Sequence, residues 1–493
     1  MTEPVERLKT GIDGLDAILY GGLTRRRSTL VAGTSGSAKT VLAVQFLAEG
    51  IVKFDQPGVF VTFEEAPDDI RTNMSSFGWD IAQWEKENKW IFVDAAPRGS
   101  EQPILAGEFD FGGLIARVEH AARKVKAKRA SIDTLAAIFL QFKDVDIVRG
   151  ELLRLTERLK ELDVTSLITV ERLEEYGDVS RFGVEEFVTD NVLILRNAMD
   201  QEKRRRTVEV LKLRGADHIK GECPFTVNKK YGIALIPLSS IELKQRSSNV
   251  RVTSGNETLD KMCSGGFFRD SIILVSGATG TGKTLLSSEF LYGGARQNER
   301  CLLFAFEESR EQLFRNAQGW GMDFEKLEEK GLLKVICLYP EVRGLEDHLI
   351  DIREAIEAFQ PQRVAVDSLS ALERAAHPRG FREFVIAVTS YIKTKEITGL
   401  FTATTPSLVG GASITETHIS TITDTIILLR YVEMLGHVKR GITVLKMRGS
   451  MHQKEIRELE ISDRGARIKG PFRKVVGVLS GNPQFLELEQ ESA

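Results

Sequence analysis

The chain has 493 residues, which is enough for two or three domains, and its 67 basic and 70 acidic residues leave a formal net charge of −3. This balance argues against a basic surface that wraps nucleic acid. With 42% hydrophobic and 28% charged residues, the composition is that of a soluble globular protein and excludes disordered or collagen-like chains.

The amino terminus has neither the basic nor the apolar region of a secretory signal peptide. No apolar run approaches the roughly 20 residues of a membrane helix, so we expect no membrane association. The four cysteines are far apart, with no C-x-x-C pair and no ligand-spaced histidine. We therefore expect no disulfide framework or zinc site, and a reducing, cytoplasmic location.

The first predicted strand, residues 28–32, runs into the glycine-rich segment GTSGSAKT (33–40), and helical spacing follows over 41–49. Strand, glycine-rich loop and helix form a P-loop, whose backbone amides cradle phosphates while Lys39 balances their charge and Thr40 ligates Mg²⁺. Ala38 stands where the full Walker A pattern has its second glycine. Alanine is accommodated there if φ stays negative but not easily at positive φ, so its effect on nucleotide affinity is open.

Acidic residues follow the next predicted strands of this half. Glu64 and Glu65 come after one hydrophobic run, and Asp133 follows Ser131 and Ile132. An acid at a strand end downstream of a P-loop is typical of Walker B, which holds Mg²⁺. Neighbouring carboxylates raise each other's proton affinity, which suits a general base, although only one can easily face the nucleotide. Solvated charge and a helix cap are the structural alternatives.

Basic residues close the first half. Lys212 and Arg214 are two apart on a predicted strand, so they share one face and suit the γ-phosphate of a neighbouring subunit. An edge strand protected by charge is the alternative. The run KRRR (203–206) could touch nucleic-acid phosphates, but it has no interleaved aromatic residues. A solvated hairpin or a subunit contact is favoured for that run.

The second half repeats these motifs in the same order: GATGTGKT (277–284), Glu307 with Glu308, Asp367, and KMR (446–448). The step from P-loop lysine to first glutamate is 25 residues in one half and 24 in the other, and that from aspartate to Lys-x-Arg is 79 in both. We therefore predict two tandem α/β domains with mainly parallel central sheets sandwiched by helices. The predicted divisions are residues 1–240, a linker at 241–253, residues 254–480 and a short tail at 481–493.

The duplicated P-loops, paired glutamates and Lys-x-Arg segments resemble the KaiC family of circadian clock ATPases. The segment SITETHISTITDT (413–425) is similar to the phosphorylation segment of that family's second domain. The resemblance spans nearly the whole chain. It implies two RecA-like P-loop domains and an ATP-dependent homohexamer of two stacked rings, with ATP or ADP at the subunit interfaces.

The resemblance also implies a role for each domain. The first (CI) would form the ring and hydrolyse ATP slowly, with Glu64 as catalytic base beside Glu65. The second (CII) would be an autokinase in which Glu307, with Glu308, activates hydroxyls of the neighbouring subunit, and reversal of the transfer to ADP would make it an autophosphatase. The implied phosphorylation sites are Ser420 and Thr421, and Thr415 matches a further hydroxyl near them.

The implied nucleotide contacts of the first domain are Ser35, Gly36, Ser37, Ala38, Lys39, Thr40, Val41, Ser76, Lys212, Leu213, Arg214 and His218. Those of the second are Thr279, Gly280, Thr281, Gly282, Lys283, Thr284, Leu285, Trp320, Arg440, Lys446, Met447 and Arg448. The expected Mg²⁺ ligands are Thr40, Asp133, Thr284, Glu307 and Asp367. From the residues alone, Trp320 and its counterpart Trp79 are more simply explained by core packing than by stacking on adenine.

Clock members of the family carry a longer tail that binds KaiA, so we do not expect regulation by KaiA here, whereas a KaiB-type partner on the first domain stays open. Two alternatives to a clock-type autokinase remain. One is a RecA/DnaB-like, nucleic-acid-dependent ATPase motor, which the net charge disfavours. The other is a scaffold that binds nucleotide without meaningful turnover.

Overall fold

The computed structural model describes residues 5–96, 111–135, 145–180, 183, 185–200, 203–235, 248–405, 419–434, 436–473, 475–476 and 484–485. The chain divides into two compact units, residues 1–240 and 241–493. Within the described residues, each unit contains a nine-stranded sheet. Among the described residues, no helix combines the length and the apolarity needed to cross a membrane.

The strands of the first unit are β1 Arg7–Leu8, β2 Leu23–Thr24, β3 Ser28–Gly33, β4 Gly58–Thr62, β5 Trp90–Asp94, β6 Arg129–Asp133, β7 Thr165–Glu171, β8 Asn191–Asp200, β9 Lys203–Leu213, β10 Glu222–Asn228 and β11 Gly232–Leu235. Its helices are α1 Leu15–Ile18, α2 Lys39–Phe54, α3 Pro67–Ser75, α4 Ile81–Lys86, α5 Phe111–Val125, α6 Val145–Glu161 and α7 Glu185–Val188.

The large sheet of this unit has the order β11-β10-β9-β8-β3-β7-β6-β4-β5. The strands from β8 to β5 are parallel, and β9, β10 and β11 extend the sheet in antiparallel fashion. Strands β3, β4 and β6 are buried along their whole length because helices cover both faces of a parallel sheet. One hydrophobic cluster contains Leu42, Phe46 and Leu47 of α2, and another contains Leu114 of α5 and Leu155 of α6.

The strands of the second unit are β12 Arg251–Val252, β13 Phe267–Phe268, β14 Ile272–Gly277, β15 Cys301–Ala305, β16 Leu333–Cys337, β17 Arg363–Asp367, β18 Thr398–Thr404, β19 Thr425–Met434, β20 His437–Met447, β21 Arg457–Ser462, β22 Gly465–Pro471, β23 Val475–Val476 and β24 Gln484–Phe485. Its α-helices are α8 Glu257–Met262, α9 Lys283–Ala295, α10 Arg310–Gly319, α11 Phe324–Glu329, α12 Leu345–Phe359, α13 Leu369–Arg374 and α14 Pro378–Thr394. A 3₁₀ turn covers Ile419–Thr421.

The second sheet repeats the first, with the order β16-β15-β17-β18-β14-β19-β20-β21-β22. Its strands from β16 to β19 are parallel, and β20 to β22 are antiparallel additions. The predicted fold class, tandem α/β domains with mainly parallel sheets between helices, is confirmed. Within the predicted linker, Arg251–Val252 pairs with Phe267–Phe268 of the second unit.

Candidate functional site

The first P-loop joins β3 to α2 at the carboxyl edge of the parallel strands. Burial of β3 between β7 and β8 fixes the point from which the loop departs. Lys39 Nζ curls back over the loop and donates hydrogen bonds to the carbonyl oxygens of Gly33 and Thr34, each at 2.9 Å. The first backbone amides of α2 have no partner within the helix, so loop and helix start together offer donors to an anion.

The second P-loop has the same arrangement between β14 and α9. Lys283 Nζ donates to the carbonyl oxygens of Gly277 at 2.9 Å and Ala278 at 3.0 Å. Loss of hydration by burial lowers the pKa of both P-loop lysines. A bound phosphate would favour the charged form again, so both lysines are placed to respond to an anion.

The backbone before the first lysine is strained. Ala38 adopts φ 72° and ψ 29°, which is the left-handed region, and Gly282 in the second unit adopts φ 107° and ψ 21°. The alternative in which Ala38 keeps a negative φ is therefore excluded. A residue with a Cβ costs about 1–2 kcal/mol in this region, and glycine does not bear that cost.

The predicted Walker B aspartates lie against the P-loop hydroxyls. Thr40 Oγ1 donates to Asp133 Oδ2 at 2.8 Å, and Thr169 of β7 donates to the other oxygen. In the second unit Thr402 and Thr284 bond Asp367 in the same way. Both aspartates are only 8% exposed, and burial raises the pKa of each.

These oxygen donors fit Mg²⁺. Magnesium is usually held by one or two protein oxygens, with phosphate oxygens and water completing the shell, and each unit presents a hydroxyl and a carboxylate side by side. In the parts of the chain that the structure describes, no group of three or more His, Cys, Asp or Glu residues could hold a metal.

The paired glutamates of the first unit follow β4 and precede α3, so they lie in a loop and not on the strand. The Glu65 carboxylate receives a long bond of 3.4 Å from Asn73 Nδ2. Glu64 is exposed as a residue, but its carboxyl group loses part of its hydration. That loss, and then the negative charges of Glu171 and Asp133, raise the pKa of Glu64. A carboxylate with raised proton affinity is a better general base.

In the second unit the two glutamates have different partners. Arg374 Nη2 of α13 pairs with Glu307 Oε1 at 2.7 Å, and Asn316 Nδ2 donates to Glu308 Oε2 at 3.1 Å. Glu308 is half-buried, and that burial, followed by the charge of Asp367, raises its pKa. Both carboxylates therefore lie near the carboxyl edge of the parallel strands, and each is held by a side chain of the same unit.

The Lys-x-Arg pair of the first unit lies at the opposite edge of the sheet from the P-loop. Gly33 is level with Leu195 of β8, whereas Leu213, between the two cations, is level with Asn191. Four residues of strand separate these levels, about 13 Å. Lys212 Nζ donates to the carbonyl of Thr189 at 2.7 Å, before β8 begins. The pair therefore cannot reach a nucleotide in its own P-loop.

The second unit has the same separation. Thr425 is level with Ile273 at the start of β14, and Gly277 at its end is level with Leu429. Lys446 Nζ donates to the carbonyl of Thr423 at 2.8 Å, and Arg448 Nη2 donates to that of Thr421 at 2.6 Å. Thr421 and the cation pair thus share the amino edge, far from the P-loop of the same unit. Thr415 lies outside the described residues.

The other predicted contacts are spread over the units. Ser76 is exposed next to α3, and His218 Nδ1 lies 3.0 Å from the carbonyl oxygen of Ile219. Trp79 and Trp320 are partly buried against the cores of their units, as packing predicts. Several predicted contact residues are apolar and pack against the cores of their units, namely Ala38, Val41, Leu213, Leu285 and Met447.

Sequence reasoning missed several residues that touch the P-loops. The β8–β9 hairpin carries Arg206, whose Nε lies 3.4 Å from the carbonyl oxygen of Gly36, just as Arg440 Nε lies 3.1 Å from that of Gly280. Arg206 and Arg440 precede the lysines of their Lys-x-Arg motifs by the same number of residues. This equal sequence separation could have identified Arg206 as the counterpart of the predicted contact Arg440. The predicted solvated hairpin or subunit contact for residues 203–206 overlooked this bond.

Glu171 and Glu175 were also missed. Glu171, at the end of β7, is level with Gly33, and its negative charge raises the pKa of Glu64. The equivalent residue in the second sheet is Thr404, which is level with Gly277. Glu175 Oε1 accepts a hydrogen bond from Thr34 Oγ1 at 2.6 Å. Because the second half has no matching glutamates, the repeat gave no signal for either residue.

Comparison with known proteins agrees with this duplicated geometry. A family model described as an ATPase, KaiC, matches residues 8–240 and again residues 252–472. The chain is 62% identical over 484 residues to circadian clock protein KaiC3 of Synechocystis sp., covering 98% of this chain and 96% of that protein. It is 54% identical over 490 residues to circadian clock oscillator protein KaiC of Synechococcus elongatus, covering 99% and 94%.

Proposed function

The chain belongs to the KaiC family of P-loop ATPases, and on that basis we propose that it is a Mg²⁺/ATP-dependent autokinase and autophosphatase that acts in circadian or timer-type signalling. The observation that carries the proposal is the opposite placement of the P-loop and the Thr421–Arg448 contact on one sheet. Such a unit holds ATP at one edge and offers an acceptor hydroxyl at the other, so transfer occurs between copies.

In the first unit we assign ATP hydrolysis. The P-loop amides and Lys39 hold the phosphates. Glu64 accepts a proton from the attacking water while the oxygen of that water bonds to the γ-phosphorus. The bond from that phosphorus to the β–γ bridging oxygen breaks, which leaves ADP and phosphate. Thr40 and Asp133 would hold Mg²⁺, which would neutralise phosphate charge. Lys212 and Arg214 of a neighbouring copy complete the site.

In the second unit the acceptor is a hydroxyl of Ser420 or Thr421. Glu307, with Glu308, takes the hydroxyl proton while the γ-phosphoryl group moves from ATP to the side-chain oxygen. Return of that group to ADP regenerates ATP and removes the phosphate. A phosphate adds about −1.5 to −2 charge beside Lys446 and Arg448, which is enough to alter contacts at this edge.

A site shared between copies needs an assembly, and we propose the homohexamer of stacked rings that the family resemblance implies. We further propose that residues 1–240 and 254–480 form the two domains, that the protein is cytoplasmic, and that a KaiB-type partner binds the first domain. These last three rest on sequence and resemblance.

The test is incubation of the full chain with Mg-ATP, followed by phosphosite mass spectrometry and measurement of ADP release. We expect phosphate on Ser420 and Thr421, and ATP turnover that is lost on combined Lys39→Ala and Lys283→Ala substitution. Turnover without phosphate at either site would remove the autokinase assignment. Turnover stimulated by DNA in a salt-sensitive manner would instead indicate a nucleic-acid motor.

A further inference from the structure

We propose that Glu175 is a positioning residue of the first ATPase site, where it braces the P-loop through the hydroxyl of Thr34. Both carboxylate oxygens are used. Oε1 accepts from Thr34 Oγ1 at 2.6 Å, and Oε2 accepts from the backbone amide of Asn197 at 3.0 Å. One side chain thus ties the P-loop to β8 beside it.

The segment that carries Glu175 is itself held in place. The backbone carbonyl oxygen of Glu175 accepts hydrogen bonds from Arg172 Nη1 at 3.2 Å and from Arg196 Nε at 3.1 Å. Arg172 also donates to the carbonyl oxygens of Gly177 at 2.8 Å and Asp178 at 2.9 Å. Both arginines are buried, at 5% and 7% exposure. The chain after β7 is therefore wrapped around a buried guanidinium group and presents Glu175 in one position.

The brace acts on an atom of the binding loop. The carbonyl oxygen of Thr34 accepts from Lys39 Nζ at 2.9 Å, so whatever holds Thr34 also fixes where the lysine ammonium rests. Preorganising a binding loop raises affinity because less motion is lost when the ligand binds. The first loop needs such support, since Ala38 strains its backbone where the second loop has Gly282.

The second unit has a different arrangement. Ala278 occupies the place of Thr34 and has no hydroxyl, and Tyr431 occupies the place of Asn197 and donates its own hydroxyl to the Thr279 carbonyl at 3.2 Å. The Thr34–Glu175 bond therefore has no counterpart at Ala278. Changing it affects one site of two.

The experiment uses the full chain with Lys283→Ala, so that steady-state turnover reports the first site, and it rests on the ATPase activity proposed above. Thr34→Ala introduces the residue of the second loop without changing the charge. We expect it to raise KM for Mg-ATP about fivefold, the effect of one lost hydrogen bond of ordinary strength, with kcat nearly unchanged. Thr34→Ser keeps the hydroxyl and is expected to keep the parent KM.

Glu175→Ala supplies the second arm of the test. If Thr34 acts only through Glu175, adding Thr34→Ala to Glu175→Ala leaves KM where Glu175→Ala alone put it. A further fivefold rise in the double variant would overturn the brace, because Thr34 would then act on the nucleotide directly. An unchanged KM in Thr34→Ala would overturn it as well. If the parent chain neither binds nor hydrolyses Mg-ATP, the first-site ATPase itself fails, which is a distinct result.

Discussion

Gln45 and Glu289 occupy the same position in the two units, six residues after the P-loop lysine, but one is an amide and the other a carboxyl group. Gln45 Nε2 donates to the carbonyl of Tyr231 at 2.7 Å, and its Oε1 accepts from the Ile233 amide at 2.7 Å. Glu289 Oε1 accepts from the Ala466 amide at 2.6 Å. Each side chain fastens the helix after its P-loop to a distant antiparallel strand.

This difference makes the stability of the second unit depend on pH. Burial raises the pKa of Glu289 from 4.5 to about 7, so the folded unit holds the proton more tightly than the unfolded chain does. The resulting stability is fully present below the unfolded pKa and is lost as pH rises through the folded one. We expect the second unit to lose on the order of 3 kcal/mol over that interval.

Glu289→Gln, which copies the first unit, is the matched control. Urea unfolding and hydrogen exchange of the Ala466 amide, measured below and above neutral pH, check the expectation. The variant should show a smaller decrease in stability than the parent as pH rises. Equal pH dependence in parent and variant would show that Glu289 is not responsible.

The strained alanine gives a second prediction. Ala38→Gly removes the cost of a Cβ at positive φ, so we expect the first unit to gain up to about 1 kcal/mol in its free energy of unfolding. The reciprocal change, Gly282→Ala, should destabilise the second unit by at least as much, because its Cβ would meet Ile461 Cδ1 at 3.2 Å. Thermal unfolding with and without Mg-ATP measures both changes. If Ala38→Gly were not stabilised and Gly282→Ala were not destabilised, the backbone strain at this position would be contradicted.

The glutamates of the second unit give a third prediction. Glu307→Gln with Glu308→Gln removes both proton acceptors, so phosphorylation of Ser420 and Thr421 should stop while the assembly is kept. Phosphosite mass spectrometry and gel filtration measure the two properties. Glu64→Gln with Glu65→Gln is the matched control, and it should reduce ATP turnover while leaving phosphorylation in place. Retained phosphorylation in the Glu307/Glu308 variant would exclude these residues as the base.

The edge-to-edge separation gives a fourth prediction. Lys283→Ala lacks a working P-loop, and Arg448→Ala lacks the cation at the other edge, so each alone should be inactive in the second unit. If the cation acts on a neighbour, mixing the two variants creates interfaces that carry an intact P-loop and an intact Arg448. Phosphorylation in the mixture, absent from either parent, is the expected result, and a silent mixture of exchanging subunits would indicate action within one chain.

Much of the fold and of the candidate site could be predicted because the same motifs occur in both halves of the sequence. The P-loops, the Walker B aspartates and the paired glutamates recur at nearly equal spacing, and the structure places them at the edges expected of a parallel sheet. What the repeat could not reveal is where the halves differ. Glu171 and Glu175 meet the first P-loop only through pairing of β7 with β3, a contact between residues about 140 positions apart.

The sign of φ at Ala38 could not be predicted from the sequence for a related reason. The sequence showed a missing glycine, but two outcomes were open, a relaxed loop with negative φ or a strained loop that keeps the shape of its relative. The loop keeps that shape, and in it Lys39 donates to the carbonyl oxygen of Gly33 within the loop while Thr40 donates to Asp133 of the distant strand β6.

If sites are shared between copies as proposed, the opposite placement of P-loop and cation pair also makes protein concentration a control on activity. Copies that join head to tail leave one P-loop and one cation pair unused at the ends of an open row, and a closed ring leaves none. In that arrangement a dissociated chain would carry every proposed catalytic side chain and yet complete no site. Dilution alone should therefore silence both units together, without unfolding either of them.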